Sequence, residues 1–513
     1  MMKSLKTIIC GGALACLAVS PVVASASSKA GHEVHELAVD TAVSTHLEAL
    51  GAELDPHFFS QNVTRNEGVK AEDWDSVVVR RIELMGLHRL RIMVLPSWIE
   101  PVNDNSDPNV ACMERFTFDS AEMQSLYREL DTAERLGLRV NLTLWGAQLG
   151  HFIAGSNAGD WCVSPFDFDE WAENFSVLVK HLIVDKGYSC IEEITPINEP
   201  DWAMKIGSNG VTAPTEHYMA MCKVLNARFR RDGIRHLVKF SLSDNSDGGT
   251  GTHAYLKACA EGLQSEADVL NSHVYLFGYE TPNSKIYDWE RENCRIAATA
   301  GHRHFVGEFG SNQCVDATRQ RDINLYERGI LMARIALCCL NAGASGLSYW
   351  SLIDQYYYHK AGYGEMQQLG MWKSVRKVYE ADSLYTNMST NYEVRPQYYA
   401  YGLLTNHMRP GAEVHAIDTG DEFCAASAVR NPDGRWVYVF ANAGKSDIEV
   451  RLNNALASER GKRYDVYRYT RNGLPADDSM ISADSRVLRR LALTIGGESV
   501  VVIDERCQVC GKR

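Results

Sequence analysis

Residues 191–200 read Ile191-Glu192-Glu193-Ile194-Thr195-Pro196-Ile197-Asn198-Glu199-Pro200, a short β-branched run that stops on an amide, a carboxylate and a proline. Runs of this kind return along the chain, each followed by an amphipathic stretch with helical spacing, which is the rhythm of a parallel sheet with crossover helices. They are Leu50–Leu54, Leu90–Leu95, Arg139–Leu144, Ile191–Ile197, Val238–Leu242, Val269–Val274, His304–Val306 and Gly346–Trp350. Eight such strands joined by right-handed crossovers close a barrel. The intervening spacing predicts helices over Trp74–Met85, with Val77, Val78, Ile82 and Met85 on one stripe, and over Glu122–Leu136, ending at Gly137. The expected fold class is α/β, a (β/α)8 TIM barrel over residues 47–407.

The alternation ends with Tyr398–His407 and the breaker Met408-Arg409-Pro410-Gly411. Beyond it come short alternating runs such as Arg435–Ala441 and Val500–Ile503, divided by Asn431-Pro432-Asp433-Gly434 and Arg471-Asn472-Gly473. These are hairpin signals, and residues 411–505 read as a β-sandwich, with 506–513 as a tail. Residues 27–46 read as a disordered stub that goes on to lend a strand to that sandwich.

Lys3 and Lys6 precede an apolar run from Ile8 to Val19, and Ala24-Ser25-Ala26 is a small-residue cleavage pattern. Residues 1–26 are therefore expected to be a signal peptide, and the mature chain to be secreted or periplasmic with no integral membrane segment. A lipid anchor on Cys16 is the alternative, weakened by Ala13 where a larger aliphatic is usual.

Among the 513 residues 45% are hydrophobic and 23% charged, an ordinary globular composition that excludes a collagen, a coiled coil or a disordered chain. Net charge is −13, from 52 basic and 65 acidic residues. Losing Lys3 and Lys6 makes it 50 − 65 = −15, which argues against nucleic acid as a partner. Cys338 and Cys339 read as small buried hydrophobes. Cys507 and Cys510 stand alone as a pair, with a local disulfide as their plainest role. Oligomeric state has no signature in the sequence.

In a barrel of this kind chemistry belongs at the C-terminal ends of strands. There the sequence places Arg91 followed by Pro96 and Trp98, then Asn198-Glu199, His273 and Tyr275, Glu308, and Trp350. Glu199 and Glu308, on the fourth and seventh strands, are expected to face each other across the barrel mouth, and paired carboxylates are what glycosidic bond hydrolysis requires. Arg91 is expected to hold Glu308 ionised and Tyr275 to donate to it, which makes Glu308 the nucleophile and Glu199 the acid/base. Asn198 offers an amide to the neighbouring sugar hydroxyl, His273 helps shape the site, and Trp350 forms its floor. Trp98, Trp145, Trp161, Trp202, the cluster Tyr356-Tyr357-Tyr358 and Trp372 are candidates for stacking on pyranose faces.

No cofactor or metal is expected. His32-Glu33-Val34-His35-Glu36 lacks the i, i+4 histidine spacing and reads as a flexible stub. The segment from Asp244 to Gly249 lacks a closing Glu and reads as the loop after the fifth strand, with Asp244 or Asn245 touching substrate.

Together, Leu90-Arg91-Ile92 with Pro96-Ser97-Trp98, Ile197-Asn198-Glu199-Pro200, His273-Val274-Tyr275, Val306-Gly307-Glu308-Phe309-Gly310 and Tyr349-Trp350 resemble the strand-end motifs of clan A glycoside hydrolases, most closely family 5, the cellulase family. The resemblance covers residues 47–407 and implies a retaining glycosidase that cleaves β-O-glycosidic bonds of a poly- or oligosaccharide through a covalent intermediate. Family 5 members usually carry a His at the end of the third strand, where this chain has Leu144-Trp145-Gly146. Pro396-Gln397-Tyr398-Tyr399 leading into Arg409-Pro410-Gly411 and a β-domain is similar to families 30 and 39. Two other readings of the same residues are a non-catalytic glycan-binding protein and a transglycosylase.

Overall fold

The computed structural model describes residues 34–54, 70–145, 164–165, 167–206, 211–246, 251–316, 319–358, 364–374 and 391–507. The proposed signal peptide, Trp161 and Cys510 lie outside them. Eight parallel strands close a barrel in sequence order: β1 (Ala49–Glu53), β2 (Arg89–Val94), β3 (Arg139–Leu144), β4 (Ile191–Thr195), β5 (Lys239–Asn245), β6 (Val269–Val274), β7 (Arg303–Phe309) and β8 (Gly346–Tyr349), which pairs back onto β1. This is the barrel that the alternation predicts.

Side chains two apart on a strand share a face, and on β2 this sends Arg89 and Arg91 inward while Leu90 and Ile92 join the core. Arg89 is sealed by Glu193 of β4 at 2.6 Å in the lower barrel. One layer up, Asn141 donates to Thr195 at 3.2 Å and Asn271 to Ser241 at 2.7 Å. Arg91, two residues beyond Arg89 and in register with Asn141, reaches the residues at the ends of β4, β5 and β7.

Strand β8 meets β1 over Gly346, where an added Cβ would lie 2.1 Å from the Ala49 carbonyl oxygen and 2.6 Å from the Phe305 ring. Neither backbone nor buried ring can yield, so Gly346→Ala is expected to cost about 1–3 kcal/mol. It should lower Tm in a thermal melt, and an unchanged Tm would show that the seam relaxes.

Two local readings are corrected. Strand β5 runs three residues past Leu242, because Ser243, Asp244 and Asn245 are polar yet buried. The helix expected at Trp74–Met85 begins as a π-helical segment, Trp74–Val79, before becoming α-helical at Arg80–Met85 and ending on left-handed Gly86. The wider turns rotate the buried stripe, so Val79 is buried and Val77 only half-buried. Helix Ala121–Leu136 is capped by Ser120 and stopped by left-handed Gly137.

The C-terminal region is a sandwich of a six-stranded and a three-stranded sheet. In the larger sheet Trp436, Tyr438 and Phe440 face the smaller one, whereas Val437, Val439 and Ala441 belong to the barrel's apolar core. Both faces are covered, which is why this strand reads as one apolar run. Helix Tyr326–Ala342, buried on nearly every side from Tyr326 to Leu340 and including Cys338 and Cys339, packs against that sheet. Both sheets take a strand from before the barrel: Val34–Ala38 runs parallel to Ile448–Asn453, and Thr45–His46 runs antiparallel to Glu413–Ile417. The stretch read as a flexible stub is thus an edge strand from Val34 onward. No helix among the described residues is long and apolar enough to cross a membrane.

Candidate active site

Register brings the site together. His273 of β6 is paired with Glu308 of β7, and the chain leaves β4 through Asn198 into Glu199, which starts the short helix Pro200–Ala203. Glu199 adopts left-handed backbone, φ 43°, as do Ser243 (79°) and Asp244 (46°). Such conformations are rare for non-glycine residues and gather at functional sites. Here they support one another, the Glu199 amide donating to the Asp244 carbonyl at 3.1 Å.

Carboxylate oxygens of Glu199 and Glu308 lie within 4.8 Å of each other. Glu308 accepts from Arg91 Nη1 at 2.7 Å and from the Tyr275 hydroxyl at 2.8 Å. Gly310 makes room for Tyr275, since a Cβ there would lie 2.7 Å from its ring. Arg91 Nη2 donates to Asn198 Oδ1 at 2.9 Å and to Asp244 Oδ2 at 2.8 Å. Glu199 accepts from His273 Nδ1 at 2.8 Å and from the Trp202 indole. The same Nδ1 is 3.5 Å from Glu308, and His273 Nε2 is 3.2 Å from Asp244.

Both ring nitrogens of His273 therefore face carboxylate oxygens. Burial works against a charge there, but Glu308 and Asp244 outweigh it, and the pKa is pushed up to about 10. As an imidazolium, His273 donates from both nitrogens and ties Glu199 to Asp244. Arg91 and His273 hold Asp244 below its usual range against the opposing effect of burial.

Glu308 differs from expectation. Arg91 does pair with it, yet burial is the larger effect and raises its carboxyl above the ordinary value, with His273 and Arg91 pulling it back.

Trp145 and Trp350 stack at 5.4 Å and 23°, with the Arg91 guanidinium 5.6 Å and 6.0 Å from their rings. The Trp350 indole donates to Gln367 at 2.8 Å. Trp98 sits in the 3-10 turn Pro96–Trp98 after β2, buried in the core. Trp372 is no sugar platform: it is fully buried, 5.2 Å from the Arg81 guanidinium and edge-on to Tyr398.

Of Asp244 and Asn245, one or other of which was expected to touch substrate, both are buried, and Asp244 is the anchor of Arg91 and His273. Gln367 was not foreseen. It belongs to the hairpin Gln355–Tyr358/Gly364–Gln367 after β8.

No family model and no curated protein matches the sequence. Solved structures do resemble the fold. The catalytic domain of a family 30 xylanase C from Talaromyces cellulolyticus aligns with TM-score 0.64 at 14% identity, covering 92% of this chain and 100% of that one. An endo-β-1,6-glucanase aligns at 0.61 and 14% identity over 91% and 93% of the two chains. A family 39 β-xylosidase from Caulobacter crescentus aligns at 0.56 and 14% identity over 92% and 100%. At such identities the likeness establishes the architecture, a (β/α)8 barrel bearing a β-sandwich.

Proposed function

We propose that this chain is an exported, retaining β-glycosidase acting on a poly- or oligosaccharide, with Glu308 as nucleophile and Glu199 as acid/base. The observation that carries the reading is that one oxygen of Glu199 lies within 4.8 Å of one oxygen of Glu308, with His273 Nδ1 2.8 Å from the first residue and 3.5 Å from the second. At about 5 Å one carboxylate reaches the anomeric carbon directly, whereas inversion leaves room for a water at roughly 6.5–9.5 Å. The glycosidase titles of the structural neighbours agree with this reading, though their substrates differ from one another.

In the first step Glu308 attacks the anomeric carbon and Glu199 gives its proton to the departing oxygen. In the second, Glu199 takes a proton from the water that opens the glycosyl ester. The roles follow from the surroundings. Glu308 accepts from a cation and a phenol, and its side chain is 6% exposed. Glu199, at 13%, is the more open of the pair and the better placed to exchange a proton with leaving group and water. Arg91 occupies Asn198 Oδ1, so Asn198 presents its NH2 to the sugar 2-hydroxyl. The stacked Trp145 and Trp350 form the apolar wall.

Attack requires ionised Glu308, whose pKa burial raises. Activity is therefore present above that raised value and lost as pH falls through it. The acid limb of kcat/KM is expected to lie above the ordinary glutamate value of about 4.3, and a limb at or below it contradicts the assignment. A screen against β-linked glucans, mannans, xylans, galactans and glycolipid headgroups, with the first-formed anomer read by NMR, tests the function. Inversion, or binding without cleavage across the panel, overturns it.

A further inference from the structure

Away from the barrel mouth lies a second group of acids. Glu100 and Asp104 come from the segment after β2, and Glu170 and Glu173 from helix Phe168–Lys180 after β3; all four are buried, none more than 6% exposed. Single carboxylate oxygens of Asp104, Glu170 and Glu173 lie within 4.8 Å of one another.

Hydrogen bonds satisfy only part of this group. Glu100 accepts from the Asp104 amide and from Asn174 Nδ2, each at 2.9 Å, and Asp104 Oδ2 accepts from the Cys112 amide. Both oxygens of Glu173, Asp104 Oδ1 and Asn174 Oδ1 are buried and accept nothing among the described residues.

Positive charge is short as well. Arg228 Nη2 stands 3.7 Å from Glu173, but its Nε is held by Asp232 at 2.5 Å and its Nη1 by the Pro108 carbonyl at 2.6 Å. Arg115 also approaches, but its Nη1 donates to the Asp104 backbone carbonyl at 2.8 Å and not to a carboxylate, and buried carboxylates without partners are costly unless they take up protons or a cation.

We propose that Asp104, Glu170 and Glu173 bind a calcium ion. Every donor is oxygen, the set a hard cation prefers, and atoms within 4.8 Å of one another can close on one ion at Ca–O distances of about 2.4 Å. Mg2+ demands near-ideal octahedral geometry and gives up its waters reluctantly, so a set of protein oxygens favours Ca2+. With no cation present, burial and the neighbouring acids push Glu170 up to about 7 and, despite Arg228, Glu173 up to about 8. The ion would tie the segment carrying Trp98 to the helix after β3.

The test is calorimetric titration of the EGTA-treated, desalted chain with CaCl2, alongside metal content before treatment, Tm, and a parallel MgCl2 titration. The expected result is one calcium per chain, a Tm rise of several degrees, a weaker response to magnesium, and loss of both calcium effects in Glu173→Gln. Should that variant fail to fold, Asp104→Asn serves the same comparison. A chain purified without calcium that shows neither heat nor Tm shift at millimolar calcium overturns the proposal. Binding undiminished in the folded variants overturns it too.

Discussion

Glu308→Ala is expected to lower kcat by at least about 10⁴-fold, because it removes the carboxylate proposed to form the glycosyl ester. The variant should still fold, since Arg91 keeps Asp244 and Asn198 as partners. Removing the carboxylate leaves space beneath the anomeric carbon, and azide supplied there should restore part of the turnover. Glu199 still protonates the leaving group in this variant, so the product is a glycosyl azide of the configuration opposite to the substrate. Azide attack and product stereochemistry, read by NMR, fix the face on which Glu308 stands. Full activity in the alanine variant would remove the nucleophile assignment.

Glu199→Ala should fail differently. General acid catalysis is worth on the order of 10²–10⁴, and that loss should fall on substrates whose leaving group needs a proton. A dinitrophenyl glycoside needs none, so its first step should proceed at close to the wild-type rate while the glycosyl-enzyme accumulates. Azide then attacks that ester and gives a product of retained configuration. The two variants thus yield azides of opposite hand, and identical stereochemistry from both would show that the roles are misassigned.

How far the sequence carried these assignments depends on whether a residue's position follows from a period. Arg91 was legible because it alternates with Leu90 and Ile92 on a strand, and Glu308 because it ends an apolar run. Asp244 was obscured by its own chemistry. Ser243, Asp244 and Asn245 look like a loop, and only burial among Arg91, His273 and Tyr218 makes them strand. Gln367 comes from a hairpin 17 residues beyond Trp350, with no period linking the two. Trp372 misled for the opposite reason: aromatic residues in a long loop suggest a sugar platform, and nothing local reveals a guanidinium waiting to cover the ring. The π-helical turns at Trp74–Val79 are likewise invisible to a 3.6-residue count.

The pairing of Val34 with Glu449 bears on how the molecule is made. During synthesis the leading strand leaves the ribosome long before its partner exists, and the whole barrel must be translated in between. The sandwich is therefore the last piece to close, its first strand waiting unpaired as a bare edge that other chains can capture. Any tag, fusion or truncation at Val34–Ala38 acts on that late step, far along the polypeptide from where the change is made.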